Sequence, residues 1–111
     1  NLWIAKFPSK NDDRDVAAWE MVINHLAIEA GINAAEGRLL KFNNKYRTYL
    51  SKRFDRTKTG ERIHFASAMT LLGHLDGEDS SEASYLELME FISRYGAAVE
   101  KDLEELWRRI V

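Results

Sequence analysis

The spacing of hydrophobic residues divides the chain into seven predicted elements. Residues 2–7 alternate between two faces and predict a strand, which Pro8 ends because proline has no N–H to donate to a sheet. Residues 16–30 repeat apolar positions at the spacing of a helix. Two strand-like runs follow at 37–43 and 46–54, and the apolar spacing after residue 62 predicts three helices.

The first helix is predicted to bury a continuous apolar arc. Asp13 or Asp15 is the expected N-terminal cap, and Gly31 the left-handed C-terminal cap. Glu20 lies at the margin of the arc, whose members are Val16, Trp19, Val22, Ile23, Leu26, Ala27 and Ala30. The last helix is predicted to bury a similar set, namely Val99, Leu103, Leu106, Trp107 and Ile110.

The first strand is apolar on both faces except for Lys6. This pattern predicts cover on both sides and a lysine that loses water between its apolar neighbours. Between the next two strands, Asn43, Asn44 and Lys45 predict a tight hairpin, since asparagine tolerates a positive φ.

The order of strand, helix, two strands and three helices predicts the α+β class. Strands and helices are segregated around residues 57–62. We therefore expect a strand–helix–hairpin unit followed by a helical segment.

Composition limits the classes of protein to which the chain can belong. Its 111 residues, 45% of them hydrophobic, predict a small globular unit. A net charge of −2 implies neither a nucleic-acid nor a membrane partner, and no segment reads as a membrane span or a signal peptide. The absence of cysteine fits a reducing compartment, so we expect a cytoplasmic protein.

Charge is nevertheless distributed unevenly along the chain. Residues 38–62 hold nine Lys or Arg against two acids, whereas residues 63–111 hold ten acids against four Lys or Arg. The basic segment could meet phosphate. Solvated strand faces and a turn are the favoured explanation, because loops are commonly charged.

Lys6 and Glu20 are the main candidates for chemistry. A lysine on an apolar strand needs a partner, and a helix with a carboxylate at its apolar margin supplies one. The alternative is a lysine that extends into water from a strand end. The three histidines have no metal-ligand spacing, so no metal site is predicted. No glycine-rich phosphate loop or catalytic loop occurs either, so we predict no catalytic residue within the chain.

Four phrases in order, WIAKFP, AAWE, AGIN and LSKRFDR, resemble the HipA-like serine/threonine kinases of bacterial toxin–antitoxin systems. The resemblance implies a partial protein-kinase-like fold. Residues 1–57 would be part of the small lobe with the hinge, and residues 58–111 the helical start of the large lobe. The missing Gly-rich loop is expected before residue 1, and the catalytic loop and metal-binding Asp after Val111.

The resemblance also assigns roles to individual residues. Lys6 would contact the phosphates of ATP, and Glu20 would orient Lys6. The hinge that holds adenine would consist of Ser51, Lys52, Arg53 and Phe54, with Asp55 and Arg56 as a structural ion pair at its exit. ATP and Mg²⁺ would be cofactors of the intact parent protein.

The same resemblance implies partners for the parent, namely a protein substrate and a DNA-binding antitoxin. The chain departs from the family where Ala34 and Ala35 follow the G-I-N turn and where Lys52 replaces a common acidic residue. We expect the chain alone to lack phosphotransfer and to self-associate through uncovered apolar surface. The alternative function is a small non-catalytic α+β domain that binds another protein.

Overall fold

The computed structural model describes residues 2–75 and 84–111 and confirms the α+β class. The elements follow the predicted order: β1 (Trp3–Lys6), α1 (Val16–Glu29), β2 (Gly37–Leu40), β3 (Thr48–Lys52), α2 (Ala68–Leu72), α3 (Tyr85–Tyr95) and α4 (Val99–Ile110). They form two compact units, Asn1–Ile63 and His64–Val111. The assignment of residues 1–57 and 58–111 to two kinase lobes stays a prediction.

The first unit is built around a three-stranded antiparallel sheet in the order β1-β3-β2. Trp3 lies opposite Lys52 and Lys6 opposite Tyr49, while Gly37 lies opposite Ser51 on the other side of β3. The central strand is the best covered, because Thr48 is 1% and Tyr49 3% exposed. The core of this unit therefore lies at the N-terminal half of β3.

The prediction that β1 is covered on both faces is wrong. Its residues Ile4, Ala5 and Lys6 are all exposed, with Ile4 at 50%. β1 is an edge strand of a three-stranded sheet. Among the described residues, few neighbours pack against its apolar side chains. Apolar composition predicted the strand correctly but not its burial.

Both ends of α1 are as predicted. The Asp15 side chain accepts a hydrogen bond from the Ala18 N–H at 3.1 Å. At the other end Gly31 has φ 80°, and the N–H of Ile32 donates to the carbonyl of Ala27 at 2.9 Å. This left-handed end, with its bond back across the last turn, is a Schellman motif.

The predicted buried face of α1 is wrong. Val16, Trp19, Val22, Ile23 and Leu26 are between 47% and 65% exposed, and Ala17 is the buried residue of the helix. α1 packs against β2 and β3. The small Ala17 permits close approach, and Asn24 fixes the helix by donating from Nδ2 to the Ala35 carbonyl at 2.9 Å. The orientation of α1 is therefore set by Ala17 and the Asn24 hydrogen bond, and the apolar arc does not determine it.

The predicted tight hairpin between β2 and β3 is also wrong. Seven residues, 41–47, connect the two strands, and the described residues include no non-glycine residue with a positive φ. This connection is held against the start of α1. The Tyr46 hydroxyl donates to the Asp13 carbonyl at 2.8 Å, and Arg47 Nη1 lies 3.1 Å from Asp15 Oδ2.

The second unit is helical throughout its described elements. Ser67 and Ser84 cap α2 and α3 by accepting hydrogen bonds from the N–H groups of Thr70 and Glu87. α3 packs against both α2 and α4. Leu106 is buried as predicted for α4, but Trp107 and Ile110 are 65% and 38% exposed, so the predicted apolar face is only partly covered. No helix among the described residues is long and apolar enough to cross a membrane.

Candidate functional site

The predicted ion pair between Lys6 and Glu20 is confirmed. Lys6 Nζ donates a hydrogen bond to Glu20 Oε1 and so joins the end of β1 to the second turn of α1. The Lys6 side chain is 56% exposed and that of Glu20 33%. The expected loss of water around Lys6 is therefore wrong, because an edge strand leaves its ammonium accessible to solvent.

Tyr49 completes this corner of the sheet, although it was not among the site residues predicted from the sequence. It lies opposite Lys6 on β3, and Lys6 Nζ is 5.6 Å from the centroid of its ring. Burial raises the pKa of Tyr49, and the charge of Glu20 adds to that rise. Its hydroxyl therefore stays neutral beside the ion pair. The sequence predicted a strand over residues 48–52, but it did not show which residue of that strand lies opposite Lys6.

Gly37 makes room for the Tyr49 ring. A Cβ built at Gly37 would lie 2.5 Å from Tyr49 Oη and 2.9 Å from two ring carbons. Such distances are well inside van der Waals contact, so any larger residue here would displace the aromatic ring. The glycine at the start of β2 is thus required by close approach.

A small recess lies between this corner and the N-terminus of α1. Its volume is about 110 Å³, and it is lined by Lys6, Phe7, Pro8, Asp12, Val16, Ala17, Glu20, Arg47 and Tyr49. Sites that enclose small molecules usually measure roughly 300–1,000 Å³. The recess could therefore admit a single charged group, and the remainder of a nucleotide would lie on the exposed surface.

The predicted hinge residues, 51–54, lie at the C-terminal end of β3, whereas Tyr49 and the Lys6 corner lie near its N-terminal end. Lys52 and Arg53 are half-buried, and Phe54 is 65% exposed. The Lys52 N–H donates to the Glu36 carbonyl and the Arg53 N–H to the Leu2 carbonyl, each at 2.9 Å. These two donors are used by the sheet itself. A base bound here would have to use other backbone groups of residues 51–54.

The ion pair predicted at the exit of this segment is confirmed. Arg53 binds Asp55 through two hydrogen bonds of 2.8 and 2.6 Å, and Arg56 Nη1 lies 2.8 Å from Asp55 Oδ2. The Arg53 hydrogen bonds, helped by the charge of Arg56, lower the pKa of Asp55 from its ordinary 3.8 to about 2. Asp55 therefore stays ionised and fixes both guanidinium groups.

The sheet places the predicted site residues at two separate positions. Trp3, which lies opposite Lys52, is three residues from Lys6 on β1, a distance of about 10 Å along the strand. In antiparallel strands, opposed residues share a face, so Ser51 lies on the face of Lys6 and Tyr49, and Lys52 on the other. The structure thus brings Lys6 and Glu20 together but does not bring them into contact with residues 51–54.

Comparison with known proteins gives one match. No curated protein and no solved structure matches the chain. The sequence model of the family described as HipA-like C-terminal domain matches residues 1–111, the whole chain. The pair Lys6–Glu20 and the segment 51–56 therefore lie within that match, and the chain belongs to the HipA-like C-terminal domain family.

Proposed function

We propose that this chain is the nucleotide-binding part of a HipA-like serine/threonine protein kinase, with ATP as its ligand. The single observation that carries the proposal is the ion pair between Lys6 and Glu20, which links β1 to α1. Protein kinases use a strand lysine paired with a helix glutamate to hold nucleotide phosphates. Membership of the HipA-like C-terminal domain family supports the same assignment.

The residues of the first unit fit such a ligand. Lys6 is held by Glu20 yet remains 56% exposed, so its ammonium can reach a phosphate. The ring of Tyr49 lies beside the lysine, 5.6 Å from Nζ, where it can interact with the positive charge. Lys6 lies about 10 Å along β1 from Trp3, the residue opposite Lys52. This distance leaves room for an extended ligand whose phosphates lie at Lys6 and whose base lies near Lys52.

In this proposal each residue has a distinct task. Lys6 binds phosphate oxygens, Glu20 orients the ammonium of Lys6, and the carbonyl groups of residues 51–54 orient the base. ATP supplies the phosphoryl group that a kinase transfers, and Mg²⁺ shields its charge. Among residues 2–75 and 84–111 no group of three or more acidic or histidine side chains is placed to hold a metal ion. We therefore assign no Mg²⁺ ligand to the described chain.

The wider biological role follows the family resemblance of the sequence. We propose that the parent protein is the toxin of a bacterial toxin–antitoxin pair, acts in the cytoplasm on a protein substrate, and binds a DNA-binding antitoxin. The catalytic base and the metal-binding Asp are assigned to parts of the parent outside this chain, so the 111 residues alone should transfer no phosphate.

Binding of ATP to the chain tests the proposal directly. By titration calorimetry, Lys6→Ala should weaken ATP binding about tenfold or more, because a charge-assisted hydrogen bond to phosphate is lost. Lys41→Ala is the matched control, since Lys41 is an exposed lysine on the connection between β2 and β3. Equal affinities in wild type and a folded Lys6→Ala variant would refute the nucleotide site.

One observation favours the second candidate, a non-catalytic domain that binds another protein. An apolar surface on α1 is 47–65% exposed at each of its residues, which are Val16, Trp19, Val22, Ile23 and Leu26. Large exposed apolar patches commonly mark protein interfaces. Absence of saturable ATP binding, together with self-association or partner binding through this surface, would favour that function.

A further inference from the structure

Four cationic side chains line one open cleft at the exit of β3. The cleft has a volume of about 500 Å³ and is lined by Leu2, Lys52, Arg53, Arg56, Thr57 and Lys58. Only two carboxylates form ion pairs with these cations in the described structure: Asp55 with both arginines, and Glu36 with Lys52. Glu36 is also shared with Arg38, which it binds at 2.7 Å. At least two positive charges therefore remain uncompensated around one cavity.

The two arginines are held in place before any ligand arrives. Asp55 Oδ2 accepts hydrogen bonds from both Arg53 and Arg56, and Arg56 Nη1 also donates to the Asp55 carbonyl at 2.8 Å. Only 14% of the Arg56 side chain is exposed. A guanidinium fixed in this way loses little further conformational freedom when it binds an anion.

Donor groups remain after these ion pairs are made. Among the described residues, the hydrogen bonds of Arg56 use Nη1, which leaves Nε and Nη2 for another acceptor. Lys58 is exposed, and no described residue forms an ion pair with it. A planar guanidinium beside a mobile ammonium is the combination that binds phosphate through several oxygens at once.

The loop that carries Lys58 has a fixed shape. Arg56 and Arg62 form an isolated antiparallel bridge, the Thr57 N–H donates to the Glu61 carbonyl at 3.0 Å, and Gly60 turns the chain with φ 90°. Thr57 Oγ1 accepts from the Glu61 N–H at 3.0 Å. Thr57 and Lys58 are thus held beside Arg56 by a closed turn.

We infer that this cleft, defined by Arg53, Arg56, Thr57 and Lys58 with Lys52, binds a phosphate monoester dianion. At least two uncompensated positive charges face the two negative charges of that group, and the cavity volume admits a phosphorylated side chain or a sugar phosphate. The cleft shares Lys52 and Arg53 with the proposed base-binding segment, but it lies at the opposite end of β3 from Lys6 and does not require that ATP binds there.

Titration with two small probes tests the inference. The probes are a short neutral peptide containing phosphoserine and ribose 5-phosphate, and the peptide with unmodified serine is the negative probe. We expect saturable binding of at least one phosphorylated probe, weakening as salt is raised. Tighter binding of the peptide would assign the site to a phosphorylated protein segment. Tighter binding of ribose 5-phosphate would assign it to a free metabolite.

Two substitutions in the cleft and one outside it make the test specific. Arg56→Lys keeps the charge but loses the planar donor pair, and should weaken binding about tenfold. Lys58→Ala removes an exposed cation without disturbing a described ion pair, and should weaken binding about threefold with an unchanged thermal midpoint. Lys41→Ala, on the connection between β2 and β3, should bind as wild type does.

The outcomes separate this inference from the proposed function. Lys6→Ala should leave phosphoserine binding intact even where it abolishes ATP binding, because Lys6 lies at the other end of β3. No saturable binding of either phosphorylated probe overturns the inference. Equal affinity of wild type and Lys58→Ala, or equal binding of the serine and phosphoserine peptides, also overturns it.

Discussion

At the scale of single residues, the contacts around Lys6 contribute unequally to folding stability. The ion pair between Lys6 and Glu20 is largely exposed, so it contributes little to folding stability. Tyr49 is 3% exposed, and its ring lies against Gly37. Packing around Tyr49 therefore contributes more to the stability of this corner than the charged pair does.

Gly37→Ala should therefore destabilise the first unit. The new methyl group would meet Tyr49 Oη at 2.5 Å, and overpacking of this kind costs about 1–3 kcal/mol. Urea unfolding measures the loss. Combining the change with Tyr49→Phe, which removes the hydroxyl, should recover part of it. Unchanged stability in Gly37→Ala would show that the ring moves aside without cost.

Asp55 should make stability depend on pH in a defined window. Its pKa falls from 3.8 to about 2 in the folded chain, so the folded state binds this proton less tightly than the unfolded state. The stabilisation is fully present above about pH 4 and disappears as the pH falls towards 2. The difference in thermal midpoint between wild type and Asp55→Asn should shrink across that range. Asp13→Asn, at a carboxylate whose side chain is 83% exposed, is the control.

At the scale of elements, the sequence predicted the helix ends better than the helix faces. Asp15, Gly31 and Ser84 act through their own neighbouring backbone, so their roles are readable from local sequence. The face of α1 depends on its contacts with β2 and β3, which local spacing does not contain. The pair Lys6–Glu20 was predictable because a lysine on an apolar strand needs a carboxylate partner. The position of Tyr49 opposite Lys6 depends on the strand register, which the sequence does not show.

The N-terminal cap of α1 depends on Asp15. Asp15→Ala removes both the bond to the Ala18 N–H and the ion pair with Arg47, and should cost about 1 kcal/mol. Asp15→Asn keeps a capping oxygen and should retain most of that stability. Urea unfolding of the three proteins measures the difference. Equal losses in both variants would assign the stabilisation to the ion pair with Arg47 and not to the cap.

At the scale of the whole molecule, the two units carry opposite charge. Residues 1–63 hold twelve Lys or Arg and eight Asp or Glu, a formal +4, whereas residues 64–111 hold four and ten, a formal −6. The net charge of −2 conceals this separation. Net charge alone therefore gave no indication that one unit is basic and the other acidic, whereas the distribution of charge along the sequence did.

Self-association of the chain should proceed through apolar surface. Trp19 and Ile23 on α1 are 61% and 65% exposed, so Trp19→Asp should reduce association without lowering the thermal midpoint. Sedimentation velocity at several concentrations measures this. Association that persists at high salt would exclude attraction between the oppositely charged units as its cause. A monomer at every concentration would contradict the prediction.

The pairing of β3 on both sides has a consequence for how the chain can vary among its relatives. A residue inserted between Tyr49 and Lys52 would turn the following side chains to the opposite face and break both ladders at once. Insertions in the connection at 41–47 would meet no such constraint, since loops tolerate changes of length. We therefore expect members of the family to differ in length before Thr48 and to keep a constant length across β3.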